Sequence, residues 1–400
     1  MDSNRLLKMP KKTDTFRAIS FFCNKGGNGK TTSVIMFATI LAQKGYKVLL
    51  IDNDGQGNSS YFNGAPIIPQ PGVIRLEDLY KEINLKTPKV DERINLSLLK
   101  SAIQESEAGY AYIEASKLLD RLFDINDPEI TNPDAIYTVW RIIQAIKGTF
   151  DFCIMDSPCK EDVLSVNSII ASDDVIISVA AEGDTPKTLG NNIFMFESLK
   201  KRYKANANID RVLPVKIRDA SHINEVVPMV RHVAINNYQS KMCCSYIKYS
   251  KDIENCLIAK EKRIECLKSG RSSDAFISYI ECVEEYLKDH GIKDDSEFTV
   301  LEIKDINGNA RKKIVFEKKD VIREYQLSVR NFLKSENIEC RIYTETNNIE
   351  INPILPRYKI IVDMAKNRGA TMDNKTCYEK VDEYLKSSKI PFILKVKDVL

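Results

Sequence analysis

Residues 18–43 read AISFFCNKGGNGKTTSVIMFATILAQ. An apolar run, AISFFC (18–23), stops at a glycine loop. A second apolar-rich stretch follows, with Val34, Ile35, Ala38, Leu41 and Ala42 at helical spacing and Gly45 as its stop. A strand that is apolar at every position suits a parallel sheet buried on both faces. The loop between strand and helix, KGGNGKTT (25–32), has the composition of an anion cradle. Small residues let backbone N–H groups converge on an anion, and the start of the helix adds partial positive charge there. The backbone of Gly26, Gly27, Asn28, Gly29, Lys30 and Thr31 is therefore expected to hold phosphate. Lys30 is expected to reach the β and γ phosphates, Thr31 to place its hydroxyl on Mg²⁺, and Thr32 to touch the α-phosphate. The spacing departs from G-x-x-x-x-G-K-[ST], because Lys25 stands where glycine is usual.

Working outward, KVLLID (47–52), NLSLLK (95–100), FDFCIMD (150–156) and DDVIISVAA (173–181) read as further strands with helical connections. This alternation predicts an α/β fold with a doubly wound, mostly parallel sheet. Asp52, Asp54 and Asp156 all fall at or just after strand ends, where carboxylates face the ligand crevice of an open α/β sheet. Asp156 is expected to hold the Mg²⁺ ion through its water shell, with Asp52 supporting the metal. Asp54 is expected to orient the attacking water.

The totals narrow the class. The chain has 400 residues, 43% of them apolar and 29% charged, enough for a sizeable core and a solvated surface. A formal charge of +3 carries no global demand for nucleic acid, so any basic footprint must be local. The ten cysteines form no C-x-x-C pair, and the start MDSNRLLKMPKK lacks the apolar segment of a signal peptide. Free thiols in a reducing, cytoplasmic setting are expected. No apolar run approaches a bilayer span.

Regularity weakens after about residue 200. LKKRYKANANIDRVLPVKIRD (199–219) is locally basic, with Lys200, Lys201, Arg202, Lys204, Arg211, Lys216 and Arg218. SDAFISYIECVEEYLKDH (273–290) has helical periodicity, and EFTVLEIKDINGNARKKIVFEKKD (297–320) reads as a strand pair around an NGN turn. The expected organisation is a basic tail over 1–15, a phosphate-loop core over 16–204 and a mostly helical segment over 205–297.

KGGNGKTT, LLIDNDGQGNSS (49–60) and FDFCIMDSP (150–158), in that order and spacing, resemble the ParA/MinD superfamily of deviant Walker ATPases, and the ParA branch most closely. That branch reads K-G-G-x-G-K-[ST]-[ST] and then D-x-D-P-Q-G-N. This chain keeps Asp52, Asp54, Gln56, Gly57 and Asn58 but has Gly55 in place of the proline. DDVIISVAAEGDTPKTLGNN (173–192) resembles the family's next strand and helix, and NPILPRYKIIVDMAKNRGA (352–370) its later I-P-R segment. The resemblance implies a slow, Mg²⁺-dependent ATP hydrolase whose two subunits close face to face on two ATP molecules, with Lys25 acting on the partner's phosphates. It also implies that 205–297 is an insertion in an ATPase domain that resumes over 298–400. It further implies non-specific DNA binding, partition of a plasmid or chromosome, nucleoid association in the ATP state, and stimulation by a ParB-like adaptor. Lys200, Lys201, Arg202, Lys204, Arg311, Lys312 and Lys313 are the candidate DNA contacts. The alternatives are a MinD-like membrane-positioning ATPase, disfavoured by Pro391 and strand-like alternation in the tail, and a scaffold whose insertion binds a protein. An iron–sulfur reductase is excluded because no cysteine lies between Cys23 and Cys153.

Overall fold

Phe21 and Phe22 are adjacent on the first strand, so they face opposite sides of the sheet, and each side is covered by helix. In the computed structural model β1 (Arg17–Phe22) leads into α1 (Lys30–Gln43), and Phe21 packs edge-on against Phe37 of α1 at 5.1 Å. Phe22 meets Phe196 of a helix on the other side at 6.2 Å. The structure describes residues 16–66, 68–85, 94–126, 128–182, 184–237, 241–242, 246–251, 253, 274–293 and 383, and the strands that follow 297. The chain divides into two compact units, Met1–Asp294 and Asp295–Leu400.

In the first unit β2 (Val48–Asp52) is followed by α2 (Asn58–Phe62), α3 (Leu76–Leu85) and α4 (Leu96–Ala102), and then by β3 (Ile103–Glu105), β4 (Ala111–Ile113) and α5 (Leu118–Arg121). Next come α6 (Thr138–Ile146), β5 (Phe152–Asp156), α7 (Val163–Ala171), β6 (Asp174–Ala180), α8 (Thr185–Tyr203) and β7 (Asn208–Val215). Then α9 (Val227–His232), β8 (Lys241–Met242) and α10 (Asp274–Asp289) complete it. The strand order is β3-β4-β2-β5-β1-β6-β7-β8. Every pairing is parallel except that of β3 with β4. The doubly wound sheet expected from the alternation is present.

Two expectations are corrected. NLSLLK is helix α4 rather than a strand, because the Asn95 side chain accepts hydrogen bonds from the backbone N–H groups of Ser97 and Leu98 and caps a helix start. The boundary drawn at 204/205 also moves. β7 is an inner strand paired with β6, and β8 forms the edge beyond it. α10 lies on α1, where Tyr279 contacts Phe37 and bonds Ser33 Oγ at 2.9 Å. Much of the segment expected as an insertion is thus part of the first unit's core.

In the second unit β9 (Phe298–Lys304) and β10 (Ala310–Glu317) pair antiparallel, as the alternation foretold. β11 (Cys340–Thr346), β12 (Tyr358–Met364) and β13 (Ile393–Lys397) form a separate three-stranded sheet. The stretch likened to the I-P-R segment supplies β12 of this sheet rather than a strand of the ATPase sheet. The basic tail over 1–15 and the helix expected before Pro391 lie outside the described residues, Glu383 apart.

Candidate active site

β2, β5 and β1 are consecutive in the sheet, so the loops leaving their C-terminal ends open into one crevice. Register places Asp156 beside Phe21 on one flank and beside Asp52 on the other. The loop after β1 turns through Gly27 (φ 85°) and Gly29 (φ 69°), left-handed conformations that favour glycine. A Cβ on Gly29 would also press to 3.1 Å from Val215 Cγ2. Lys30, the first residue of α1, points inward and forms an ion pair with Asp156. Asp54 Oδ2 is 3.7 Å from the same ammonium. The side chains of Lys30, Asp54 and Asp156 are only 4%, 11% and 0% exposed, so these charges feel one another across a dry interior.

Positive charge is in short supply here. Burial opposes ionisation of Lys30, but Asp156 and Asp54 more than offset it and hold its pKa above the ordinary lysine value. Burial, aided by Asp156, pushes the Asp52 carboxyl up to about 7 even though Ser60 bonds stabilise its charged form. Burial also raises Asp54, against the pull of Lys30. Asp156 Oδ2 is buried and has no hydrogen-bond partner among the described residues. Three carboxylates with one ammonium, and an orphaned carboxylate oxygen among them, suit a hard divalent cation with oxygen ligands.

The expected site residues are held in different ways. Both oxygens of Asp52 are engaged. Oδ2 accepts from Ser60 N (2.7 Å) and Ser60 Oγ (2.5 Å), and Oδ1 accepts from Asp54 N (3.3 Å). Through these bonds Asp52 positions the Asp54 loop. The Asn28 side chain braces the phosphate loop instead of facing it. Its Nδ2 donates to the Lys25 carbonyl, and its Oδ1 accepts from Ala180 N on β6. Lys25 is exposed at the front of the loop, and its ammonium makes no ion pair among the described residues. Thr31 and Thr32 are half-buried in the first turn of α1. At Gly55, a Cβ would fall 2.3 Å from Asp120 Cγ, so the Asp120 side chain occupies the space a proline ring would need. Asp120 is held there by Lys160 at 2.9 Å.

The sequence reading missed a cleft beside the loop. Gly29, Thr32, Val215, Lys216, Ile247, Tyr249 and Tyr279 are among the residues that line an open space of about 410 Å³. Its walls come from α1, α10 and the chain after β7. That separation of the lining in sequence is why no local motif announced it.

The basic run is not one surface. Arg211 is fully buried, paired with Asp210 (2.5 Å) and Asp289 (3.1 Å) and lying over the Tyr286 ring, so it cannot meet DNA. Lys200, Lys201 and Arg202 close the last turn of α8, where cations suit the helix dipole. Lys200 also bonds Asn208 Oδ1 at 2.8 Å, whereas Lys201, Arg202 and Lys204 are exposed. Arg311, Lys312 and Lys313 lie on β10 of the second unit, where the register shifts between Ala310 and Lys312. Among the described residues no helix is long and apolar enough to cross a membrane.

Residues 16–210 match a family model described as an AAA domain. The maintenance of carboxysome distribution protein A of Synechococcus elongatus is 26% identical over 193 residues, covering 48% of this chain and 69% of that protein. The chromosome-partitioning ATPase Soj of Treponema pallidum is 31% identical over 166 residues, covering 42% of this chain and 58% of Soj. Among solved structures, the ATP complex of the D38A variant of Cyanothece McdA superposes with a TM-score of 0.56 at 19% identity. It covers 70% of this chain and 98% of that one, a likeness of fold. Family model, relatives and sheet point the same way: residues 16–210 of this chain are similar to the ParA/MinD superfamily of P-loop ATPases, and the sheet has their fold.

Proposed function

We propose that this protein binds and slowly hydrolyses MgATP, closes into a homodimer around two nucleotides, and in that state binds DNA without sequence preference to drive partition of a DNA cargo. The observation that carries this reading is the division of labour between the two loop lysines. Lys30 is buried on Asp156, whereas Lys25 is exposed and has no carboxylate partner among the described residues. A cation that its own subunit does not neutralise is available to a partner's phosphates, where it would stabilise charge developing during transfer. Dimerisation then follows the γ-phosphate, which makes the protein a nucleotide switch.

The backbone of residues 26–31 and the Lys30 ammonium would hold the phosphates, with Thr32 near the α-phosphate and the base in the cleft beside Gly29 and Tyr279. For that, Lys30 would exchange its Asp156 partner for phosphate oxygens. Thr31 and the Asp156 oxygen without a described partner would hold Mg²⁺, which would supply charge neutralisation at the phosphates. Asp54, with its carboxyl raised by burial, would orient and partly deprotonate the attacking water. Lys201, Arg202 and Lys204, with Lys200 beside them and Arg311, Lys312 and Lys313 on β10, are the proposed DNA contacts. An adaptor protein bound to the cargo is the proposed activator. The relatives named for chromosome partitioning and carboxysome distribution support cargo positioning as the setting.

The test mixes the full chain and MgATP with non-specific DNA, and in parallel with anionic vesicles, at low and high salt. The expected result is DNA retention that needs ATP and falls steeply with salt. Sedimentation with vesicles alone would reassign the protein to membrane positioning. Asp54→Ala should leave a long-lived ATP dimer without turnover, and wild-type turnover in that variant would overturn the role given to Asp54.

A further inference from the structure

Two sulfurs meet at the edge of the crevice, and neither takes part in the chemistry above. Cys23 is the residue after β1, at the entrance to the phosphate loop, and Cys159 lies three residues beyond Asp156. Their Sγ atoms are 3.4 Å apart. That is about 1.4 Å longer than a disulfide and within reach of a side-chain adjustment. Their exposures differ in a useful way. Cys23 is buried, whereas Cys159 is half-buried and reachable by a small oxidant. Cys153 and Cys282 are buried as well.

We propose that Cys23 and Cys159 are a reversible redox site, closed into a disulfide by peroxide, that shuts down the nucleotide crevice. In the first step the Cys159 sulfur attacks a peroxide oxygen. An S–O bond forms, the O–O bond breaks, and hydroxide leaves as water after taking up a proton, which gives a sulfenic acid. The Cys23 sulfur then attacks the Cys159 sulfur. The S–S bond forms, the S–O bond breaks, and the oxygen departs as water with the proton of Cys23. Two electrons pass from the sulfurs to hydrogen peroxide, and an external dithiol reverses the change. The surroundings favour this order of attack. The hydrogen bond from Cys23, together with nearby Lys30, holds the Cys159 thiol below the ordinary cysteine range, so it is the readier nucleophile.

The consequence follows from what Cys23 holds. Its one S–H proton is shared between Cys159 Sγ and the Lys25 carbonyl, 3.3 Å away, which ties Cys23 to the loop that carries both lysines. The disulfide removes that donor and draws the turn after Asp156 toward the end of β1. Displacing a reacting group by about 1 Å costs on the order of a hundredfold in rate. Oxidised protein should therefore turn over MgATP roughly a hundredfold more slowly. This consequence rests on the ATPase reading, whereas the pairing of the thiols does not.

The experiment treats the full chain with hydrogen peroxide, blocks remaining thiols with N-ethylmaleimide and maps linked peptides by mass spectrometry without reduction. The expected product is a Cys23–Cys159 peptide pair that disappears with dithiothreitol as turnover returns. Cys159→Ser should lack the pair and keep its turnover under peroxide. Cys23→Ala should instead carry Cys159 on to sulfinic acid, which dithiothreitol does not reverse. Oxidation of other cysteines without a Cys23–Cys159 pair would overturn the site. The pair formed with turnover unchanged would overturn its control of the crevice. A chain that forms the pair yet never hydrolyses ATP would refute the ATPase reading and leave the redox site standing.

Discussion

Replacing Lys30 by alanine should unfold the first unit more readily before any nucleotide is added, and the effect should depend on pH. Lys30 is the ammonium paired with Asp156 and Asp54, and Asp52 is already pushed up to about 7 by burial and Asp156. Breaking a buried pair by removing one partner costs about 3–5 kcal/mol, because the remaining charge stays desolvated. For a domain of this size each kcal/mol lowers the melting temperature by roughly 2–4 °C, so the expected drop is about 10 °C at pH 8. At pH 5 Asp52 is protonated and the drop should shrink. The chain's single tryptophan, Trp140, sits on α6 of the first unit, so its fluorescence reports that unit. Lys30→Ala with Asp156→Asn should recover at least half of the loss, while MgATP binding stays abolished in both. If Lys30→Ala melts within about 1 °C of the parent at pH 8, the electrostatic account of the crevice fails.

Three further outcomes follow. Arg211→Ala should cost about 3 kcal/mol, since it leaves Asp210 and Asp289 without their buried cation and loosens α10 from β7. Hydrogen exchange across 274–289 in that variant should rise, and unchanged protection would show that α10 is held by other contacts. In the nucleotide-free wild type, the folded state keeps the Asp52 proton that the unfolded chain releases at the ordinary carboxylate range. Stability should therefore fall as pH rises from about 4 to about 7 and level off above, a slope that Asp52→Asn should flatten in urea titrations. Gly55→Pro should slow turnover by displacing Asp120, and Asp120→Ala in the same chain should restore it, whereas equal rates in all three would mean the contact is inconsequential.

Much of the crevice was legible because its chemistry is local. A strand, a glycine loop and a helix are contiguous, and so are Asp52 and Asp54, so spacing alone places them at the sheet's C-terminal edge. The errors came where local pattern competes with something distant or ambiguous. NLSLLK has apolar residues that serve a strand or a helix, and the capping side chain of Asn95 decided for the helix. Arg211 sits in a run of cations that reads as surface, but the acids that neutralise it across the fold come mainly from α10, far along the chain. The bonds that Asp52 accepts from Ser60, on the next helix, have no signature in the local spacing.

By itself the sequence determined the strand–loop–helix that makes an anion site, the acids set against it and the mostly parallel character of the sheet. Those follow from backbone geometry and periodicity within a few dozen residues. Only the tertiary structure decided that β7, β8 and α10 complete the first unit, that residues 295–400 form sheets of their own, and that Cys23 lies against Cys159. Those depend on which distant segments fill the edges and faces that neighbours leave open, a matter of packing and burial that no local spacing encodes.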